Sequence, residues 1–447
     1  MIYSRISKLL FSVILVLICM STQTSAIANF NKIKFIEDSL QNGLKVIYHV
    51  DKSAPIVSTI MHYRVGSRDE NPNLTGFAHF FEHLMFEATE SIPRSFMDRY
   101  VQEAGGDLNA HTSFDETVYK FGVPANQLKL ALWIESQRMR KLLVDTIGVE
   151  TQRGVVTEER KQRNDNSPYG TMFDKLTANV FRNCSYAWTP IGAAEHINNA
   201  TISEFRTFYD NFYVPNNACL VIAGDFNIDS AKQYVNAYFG QYQRFPEPKR
   251  EPFKLLPLER EYREIVNDGK AQLPGVFIGF RGPSLSDDDY YATLLLNDIL
   301  ASGESSRLFY KLVNEEQTSV SVAASPLILQ YAGILLFYGI ATPGTKISKV
   351  EEQILAEIKK IIDKGITDEE FSKAKNIREA EFIESKKNVE EKAMELARLF
   401  SYYGKPELIN TEIEKFSKIK KEDIQRVAKK YLQTNNKVVL SYLPINQ

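Results

Sequence analysis

A helix, an Asn-Asn turn and an apolar strand follow one another near the end of each half of this chain. In the first half, a helical stretch ends shortly before Asn216-Asn217 and the apolar run 218–222. In the second half, the helical stretch 421–431 ends before Asn435-Asn436 and another apolar run. The two pairs lie 219 residues apart in a chain of 447. This order indicates two halves built alike, although a single matching turn also arises by chance.

Four prolines in the segment 245–257 separate the two halves. Strand-like runs at 45–50 and 57–65 precede a helix that starts near Gly76, and 275–280 precedes a helix at 290–301 in the second half. Helices and strands are mixed throughout, so we predict an α+β fold. The predicted regions are a signal peptide at 1–28, an N-terminal catalytic domain at 29–245, a linker at 246–262 and a C-terminal domain at 263–447.

The first 28 residues have the layout of a secretory signal peptide. Arg5 and Lys8 precede the run 9–20, which is apolar except for Ser12, and Ala26 and Ala28 are candidate cleavage positions. The run is shorter than the roughly 20 residues that a membrane span needs. We therefore expect export across the inner membrane, into a bacterial periplasm. The alternative is an uncleaved membrane anchor.

Charge and cysteine content exclude several classes of function. Beyond residue 28 the formal charge is −4, without a long block of like charge, so we expect no nucleic-acid partner and a membrane contact only if the signal is uncleaved. The remaining cysteines are Cys184 and Cys219, and no CxxC occurs. This argues against a thiolate zinc site. The two thiols could pair or remain isolated.

The stretch 75–86 carries the pattern His79-x-x-Glu82-His83 and contains no proline. Thr75 is placed to cap a helix here. Residues i and i+4 share one face of a helix, so His79 and His83 would present two imidazoles together. Zinc accepts such nitrogens, and this spacing lets one helix supply two ligands. Glu82 could then approach the open side of the metal as a catalytic general base.

The alternative is a pair of core histidines on an aromatic helix. Phe77, Phe80 and Phe81 make this helix strongly apolar. Burying two imidazoles and a carboxylate on it costs several kcal/mol unless they have partners. A metal ion is a natural partner, so we predict one zinc ion per chain.

A catalytic zinc needs a third protein ligand, and two candidates stand out. His111 is one. The other is Glu159, because a helical wheel over 149–164 that places Val155 on the apolar stripe puts Glu159 on the same stripe. An inward carboxylate is either paired or bound to metal. A salt bridge to Arg or Lys is the competing explanation.

Taken together, these residues resemble the pitrilysin/insulinase family of zinc metallopeptidases, which carries the inverted His-x-x-Glu-His motif. The similarity is closest to half-length members such as the catalytic subunit of mitochondrial processing peptidase, and it covers essentially the whole mature chain. The matching blocks are 76–86, 108–113, 153–159, 213–218 and 305–309. The family's zinc-binding glutamate follows the second histidine by about 76 residues, and Glu159 follows His83 by 76.

The resemblance implies two homologous domains, each with a mostly antiparallel sheet packed by helices. It implies metal ligands His79, His83 and Glu159 and a substrate that binds as an added strand along 108–112. On that edge, Asn109 and Ala110 would contact the peptide backbone. Without the resemblance, Asn109 is as readily explained as a residue at the end of a strand.

Two positions depart from the family pattern. Many active members have a glutamate seven residues before the metal glutamate, where this chain has Gln152. An amide can hydrogen-bond a ligand or substrate from a second shell but cannot carry charge, so we expect altered activity. An Arg and a Tyr used by active assemblies align with Val313 and Val320 here. A related subunit, in a homodimer or heterodimer, would then supply those groups.

The sequence therefore predicts a zinc metalloendopeptidase that cleaves peptides or unfolded chains with a metal-activated water. The alternative is a noncatalytic or weakly active peptide-binding partner subunit of a peptidase complex. The intact set of His79, Glu82, His83 and Glu159 favours the enzyme.

Overall fold

The computed structural model describes residues 32–445. The predicted signal peptide, and with it the question of its cleavage, lies outside the described residues. Two β-sheets, each covered by helices, make up the described part, so the predicted α+β class is confirmed. None of the helices within 32–445 combines the length and the apolar character needed to cross a membrane.

The first sheet has six strands in the spatial order β1-β2-β6-β3-β5-β4. These strands are β1 (Ile36–Ser39), β2 (Lys45–Val50), β3 (Ile56–Tyr63), β4 (Asp107–Thr112), β5 (Thr117–Pro124) and β6 (Ala218–Gly224). Only the β2–β6 pair is parallel. Within residues 32–445, β4 is therefore an edge strand, with one side unpaired.

The second sheet has the order β7-β11-β8-β10-β9. Its strands are β7 (Tyr262–Asp268), β8 (Gly275–Gly282), β9 (Ser319–Ile328), β10 (Gly333–Ala341) and β11 (Lys437–Pro444). Apart from the extra β1, this order repeats the first sheet strand for strand, and the parallel pair β7–β11 matches β2–β6. The duplication indicated by the two Asn-Asn turns is thus confirmed by the topology.

Helices of the first half connect and cover the first six strands. They are α1 (Phe77–Leu84), α2 (Met97–Glu103), α3 (Leu128–Arg140), α4 (Thr146–Arg160), α5 (Met172–Val180), α6 (Ala194–Asn199), α7 (Ile202–Phe212) and α8 (Ile228–Phe239). A π-helical turn, Lys161–Asp165, extends α4. Residues 243–261 form neither helix nor strand, and the predicted domain and linker boundaries around them remain predictions.

The second half repeats this arrangement of helices. They are α9 (Tyr290–Ala301), α10 (Arg307–Phe309), α11 (Ile347–Lys364), α12 (Asp368–Glu384), α13 (Val389–Tyr403), α14 (Ile413–Lys418) and α15 (Lys421–Tyr431). In chain order, α9 corresponds to α1 because α1 follows β3 and α9 follows β8, and these two strands hold matching places in their sheets. By the same reasoning, α11 and α12 correspond to α3 and α4.

The two halves exchange covering helices. Leu396 and Leu399 of α13 pack on Ile60 and Val221, so a helix of the second half covers one face of the first sheet. In return, α5 of the first half packs on β8 and β11 of the second sheet. The central strands β3, β6 and β8 are buried on both faces, so each sheet needs cover on both sides, which explains why neither half is complete alone.

The two thiols lie in different parts of this packing. Cys219 is buried in the cluster between the first sheet and α13, whereas Cys184 is half-buried in the cluster around α5. Both are free.

Candidate metal centre

The start of α1 is fixed by the side chain of Glu70, which precedes Gly76 by six residues. Glu70 is buried, and its two oxygens accept hydrogen bonds from the backbone nitrogens of Gly76 (2.9 Å) and Ala78 (2.8 Å). Gly76 has φ of +95°, a left-handed conformation that glycine adopts without strain. The predicted cap by Thr75 is wrong. Its hydroxyl instead contacts Nδ1 of His196 at 2.9 Å. Glu70 takes the capping role, because its side chain accepts the hydrogen bonds of the backbone nitrogens at the start of α1.

The apolar side of α1 packs against α7. Phe205 is fully buried and stacks on Phe77 at 4.6 Å and on Phe80 at 4.4 Å between ring centroids. These aromatic contacts set the rotation of α1 about its axis. As a consequence, the opposite side of the helix, with His79 and His83, faces α4.

His79, His83 and Glu159 converge on one point. Nε2 of His79 lies 3.4 Å from Oε2 of Glu159, and Nε2 of His83 lies 3.1 Å from the same oxygen. The two imidazole rings are 4.9 Å apart and nearly perpendicular. Among residues 32–445, this trio is the one group of three His, Cys, Asp or Glu side chains whose ligand atoms lie within 4.8 Å of one another.

Glu159 reaches this point from α4, but the helical wheel drawn from the sequence placed the buried face of α4 incorrectly. Val155 is 45% exposed, whereas Val156 is 2% exposed, so the assumption that Val155 marks the buried stripe is wrong. The buried face of α4 centres one residue later, and Glu159 lies one turn beyond Val156 on that face. Its other oxygen, Oε1, accepts a salt bridge from Arg163 at 2.6 Å. The competing explanation, a salt bridge, is therefore present alongside the contacts with the histidines.

The donor atoms fit a tetrahedral metal. Ligands about 2.0–2.1 Å from a tetrahedral zinc stand about 3.3 Å from one another, and the two Nε2–Oε2 distances are 3.4 and 3.1 Å. Burial, with the nearby charge of His83, lowers the pKa of His79 to about 4, so its imidazole is neutral at pH 7 and can donate a lone pair. The hydrogen bond of His83 lowers the pKa of Glu159, which keeps that carboxylate charged. These are the protonation states that a divalent cation requires.

Glu82 stands beside this group without joining it. Its Oε2 accepts a hydrogen bond of 2.6 Å from the hydroxyl of Thr112, on the edge strand β4. Burial raises the pKa of Glu82, and this hydrogen bond opposes the rise. The carboxylate is thus oriented from a strand thirty residues away, which sequence reasoning missed because no local pattern links the two residues.

The other ligand candidate, His111, lies elsewhere. Its side chain is exposed on β4, and Nε2 stands 3.5 Å from Oε1 of Glu116. Successive side chains of a strand point to opposite faces, so His111 is directed away from the face to which Thr112 and Glu82 belong. Asn109 and Ala110 lie on the same edge strand, where Oδ1 of Asn109 accepts a hydrogen bond from the backbone nitrogen of Ala110 at 2.8 Å.

Gln152 lies two turns before Glu159 on α4, about 10 Å away along the helix. Its Nε2 donates to Oε1 of Glu87 at 2.6 Å, and Glu87 is also bound by Arg94. Arg94 in turn donates to Asp145, the residue that caps α4. This network ties the chain after α1 to the start of α4. Gln152 therefore supports the angle between the two helices that carry the candidate ligands.

The corresponding helices of the second half are joined without histidines. Asp298 on α9 is 3% exposed and receives two hydrogen bonds of 2.6 Å from Arg378 on α12. An internal ion pair thus joins α9 and α12 where α1 and α4 share the candidate metal centre. Val313 is half-buried beyond α10 and Val320 is half-exposed on β9, so neither position offers an Arg or Tyr.

A duplicated α+β fold with an inverted His-x-x-Glu-His helix defines a class of zinc peptidase folds. The chain belongs to the pitrilysin/insulinase family within it. Residues 45–192 match the family described as insulinase (peptidase family M16), and residues 199–378 match the peptidase M16 inactive domain. The predicted family resemblance is confirmed.

Known relatives cover nearly the whole chain. The chain is 28% identical over 416 residues to the zinc protease PqqE of Helicobacter pylori, covering 91% of this chain and 92% of that one. The crystal structure of a protease from Helicobacter pylori aligns with a TM-score of 0.88 at 27% identity, covering 93% of this chain and 100% of that one. The first half of the periplasmic protease PqqL from Escherichia coli shares the fold, with a TM-score of 0.74 at 20% identity over 93% of this chain and 92% of that one.

Proposed function

We propose that this chain is a zinc-dependent metalloendopeptidase that hydrolyses peptides or unfolded polypeptides. The observation that carries the proposal is the convergence of His79, His83 and Glu159 at distances that suit a tetrahedral cation, beside an unligated Glu82. The relatives named as zinc proteases support zinc as the metal.

Each side chain has a distinct role in this proposal. His79, His83 and Glu159 hold one zinc ion, and Arg163 fixes the rotamer of Glu159 through Oε1. Zinc held there would polarise the scissile carbonyl and acidify water. Glu82 would take a proton from the attacking water and later deliver it to the leaving amine. Because Thr112 occupies Oε2 of Glu82, Oε1 is the oxygen that carries the proton.

The substrate binds as an extended strand along the open edge of β4. Edge strands present unpaired backbone groups, and an added peptide strand satisfies them. Ala110 provides such a group in its backbone nitrogen, and Asn109 reaches the peptide through its side chain. The hydrogen bond between them opens when the peptide pairs. Recognition through the backbone explains how one site accepts many sequences.

Substitution of Glu82 tests the proposal. Glu82→Gln should retain one zinc per chain and lose peptide cleavage, because the amide cannot accept a proton. Glu159→Gln should lose zinc as well. The matched control is Glu158→Gln, an exposed neighbour on the same helix, which should keep both properties. Zinc is measured by elemental analysis and cleavage with an internally quenched peptide.

A different outcome would favour the second candidate, a noncatalytic peptide-binding partner subunit. In that case the wild-type chain retains zinc yet leaves every peptide of a mixed pool intact, with or without a related subunit. The match of residues 199–378 to the inactive domain of the family, together with Gln152, keeps this candidate open to the test.

We also propose that a second subunit completes the enzyme, either another copy or a related chain, and supplies the Arg and Tyr absent at Val313 and Val320. Weighing the purified mature protein in solution tests this, since a monomer with full activity would contradict it. For location we propose the bacterial periplasm. The signal-like residues 1–28 support this location, as does the periplasmic relative PqqL.

A further inference from the structure

A row of paired residues crosses the first sheet on the face opposite the candidate metal centre. His62 of β3 pairs with Val118 of β5, and Val118 pairs with His111 of β4. Residues paired directly across strands project to the same face. Since β4 is the last strand, a peptide added to it would contribute the next side chain of this row, beside His111.

This row forms the floor of a cavity of about 350 Å³, which we call the α13 cavity. Helix α13 forms its roof, with Met394, Glu391 and Arg398. The apolar side chains of Val118 and Met394 line the middle. The cavity is separated from His79 and His83 by the sheet itself, so it plays no part in the proposed hydrolysis.

Acidic groups dominate the α13 cavity. Glu116, Glu391 and Glu395 contribute three carboxylates, against the single guanidinium of Arg398. Arg398 is already engaged, with two hydrogen bonds of 2.8 Å to Glu395 and two further ones to Glu412. It therefore forms no ion pair with either of the other two carboxylates.

The two other carboxylates differ in their surroundings. Glu116 contacts Nε2 of His62 at 2.7 Å and Nε2 of His111 at 3.5 Å. Glu391 is exposed, and no ion pair or hydrogen bond of its side chain is found within residues 32–445. The amine of Lys386 interacts with Glu391 through its charge, but Lys386 is buried and lies over the ring of Phe382. Glu391 is thus the accessible acid at the rim.

We propose that the α13 cavity is a specificity pocket for one lysine or arginine side chain of an extended peptide paired with β4. The apolar middle suits the methylene stem, and the carboxylates suit the cationic head. A long side chain is required, because the residue beside His111 begins about 5 Å outside the row. The peptide residues on either side of this lysine or arginine project to the face of the sheet that carries the candidate metal centre. This inference rests on the peptidase function proposed above.

Binding measurements test the pocket separately from catalysis. A set of labelled neutral peptides carries one lysine, moved through every position in turn, and binding to zinc-loaded Glu82→Gln is followed by fluorescence anisotropy. We expect one position at which lysine strengthens binding roughly fivefold over norleucine, as one partly exposed ion pair provides. Adding Glu391→Gln should abolish this gain, and Glu391→Lys should shift the preference to glutamate at the same position. The matched control is Glu369→Gln, likewise an exposed glutamate in the first turn of its helix, which should keep the lysine preference.

The outcomes separate the two proposals. If no position prefers lysine, or if Glu391→Gln and Glu369→Gln behave alike, the pocket is overturned, and cleavage by the wild type would still support the peptidase. If lysine is preferred in binding but the wild type cleaves nothing, the pocket stands and the proposed hydrolysis fails. Absence of any peptide binding overturns the pocket, and cleavage by the wild type then decides the fate of the proposed hydrolysis.

Discussion

Replacing Thr112 by valine removes the hydroxyl that holds Glu82 and leaves a side chain of nearly the same shape. A hydrogen bond to a charged group contributes about 1.5–3 kcal/mol, and about 1.4 kcal/mol corresponds to one pKa unit. The hydroxyl donates at 2.6 Å to the ionised form of Glu82 and lowers its pKa. Thr112→Val should therefore raise that pKa by about one to two.

The pH dependence of kcat/KM is the direct readout. A general base works in its ionised form, so a higher pKa moves the acid limb of the profile to higher pH, by the same one to two pH units. Thr112→Ser keeps the hydroxyl and should leave the limb in place. The reasoning is refuted if Thr112→Val lowers activity equally at all pH values, or if its acid limb moves to lower pH.

Three further substitutions test the support of the site. Glu70→Ala leaves two buried backbone nitrogens of α1 without an acceptor and should lower the free energy of unfolding by about 2–4 kcal/mol in a denaturant titration, more than Glu70→Gln. Gln152→Glu, which restores the family's usual residue, places a second carboxylate against Glu87. Repulsion between the two carboxylates raises the pKa of one of them above its value in the unfolded chain. The variant should therefore lose roughly 1–2 kcal/mol of stability at pH 7, and this loss should disappear as the pH falls toward 5 and that carboxylate is protonated. Equal stability at both pH values would contradict this. Phe205→Ala empties the stack on Phe80 and should cost about 3–5 kcal/mol in thermal or chemical unfolding, and a smaller cost would mean that α1 is held chiefly by other contacts.

Patterns of short range were read correctly from the sequence. The helices predicted at 290–301 and 421–431 appear with those bounds, because caps, turns and apolar periodicity act within a few residues. The predicted cap at Thr75 failed because its competitor, Glu70, forms its bonds across a turn that the sequence does not reveal. The helical wheel of α4 wrongly placed Val155 on the buried face. A wheel gives the angles between residues, but it does not show which face of the helix is covered by the rest of the molecule.

The sequence by itself determined that His79 and His83 share a face of one helix, because the spacing of four residues is a property of the helix alone. It indicated a duplication through the two Asn-Asn turns, which the matching strand orders of the two sheets then confirmed. Only the tertiary structure decided that Glu159 and Thr112 reach this helix, and that α13 of the second half closes the first sheet. Those contacts join residues tens to hundreds of positions apart, and their geometry follows from how the sheets and helices bury their apolar faces together.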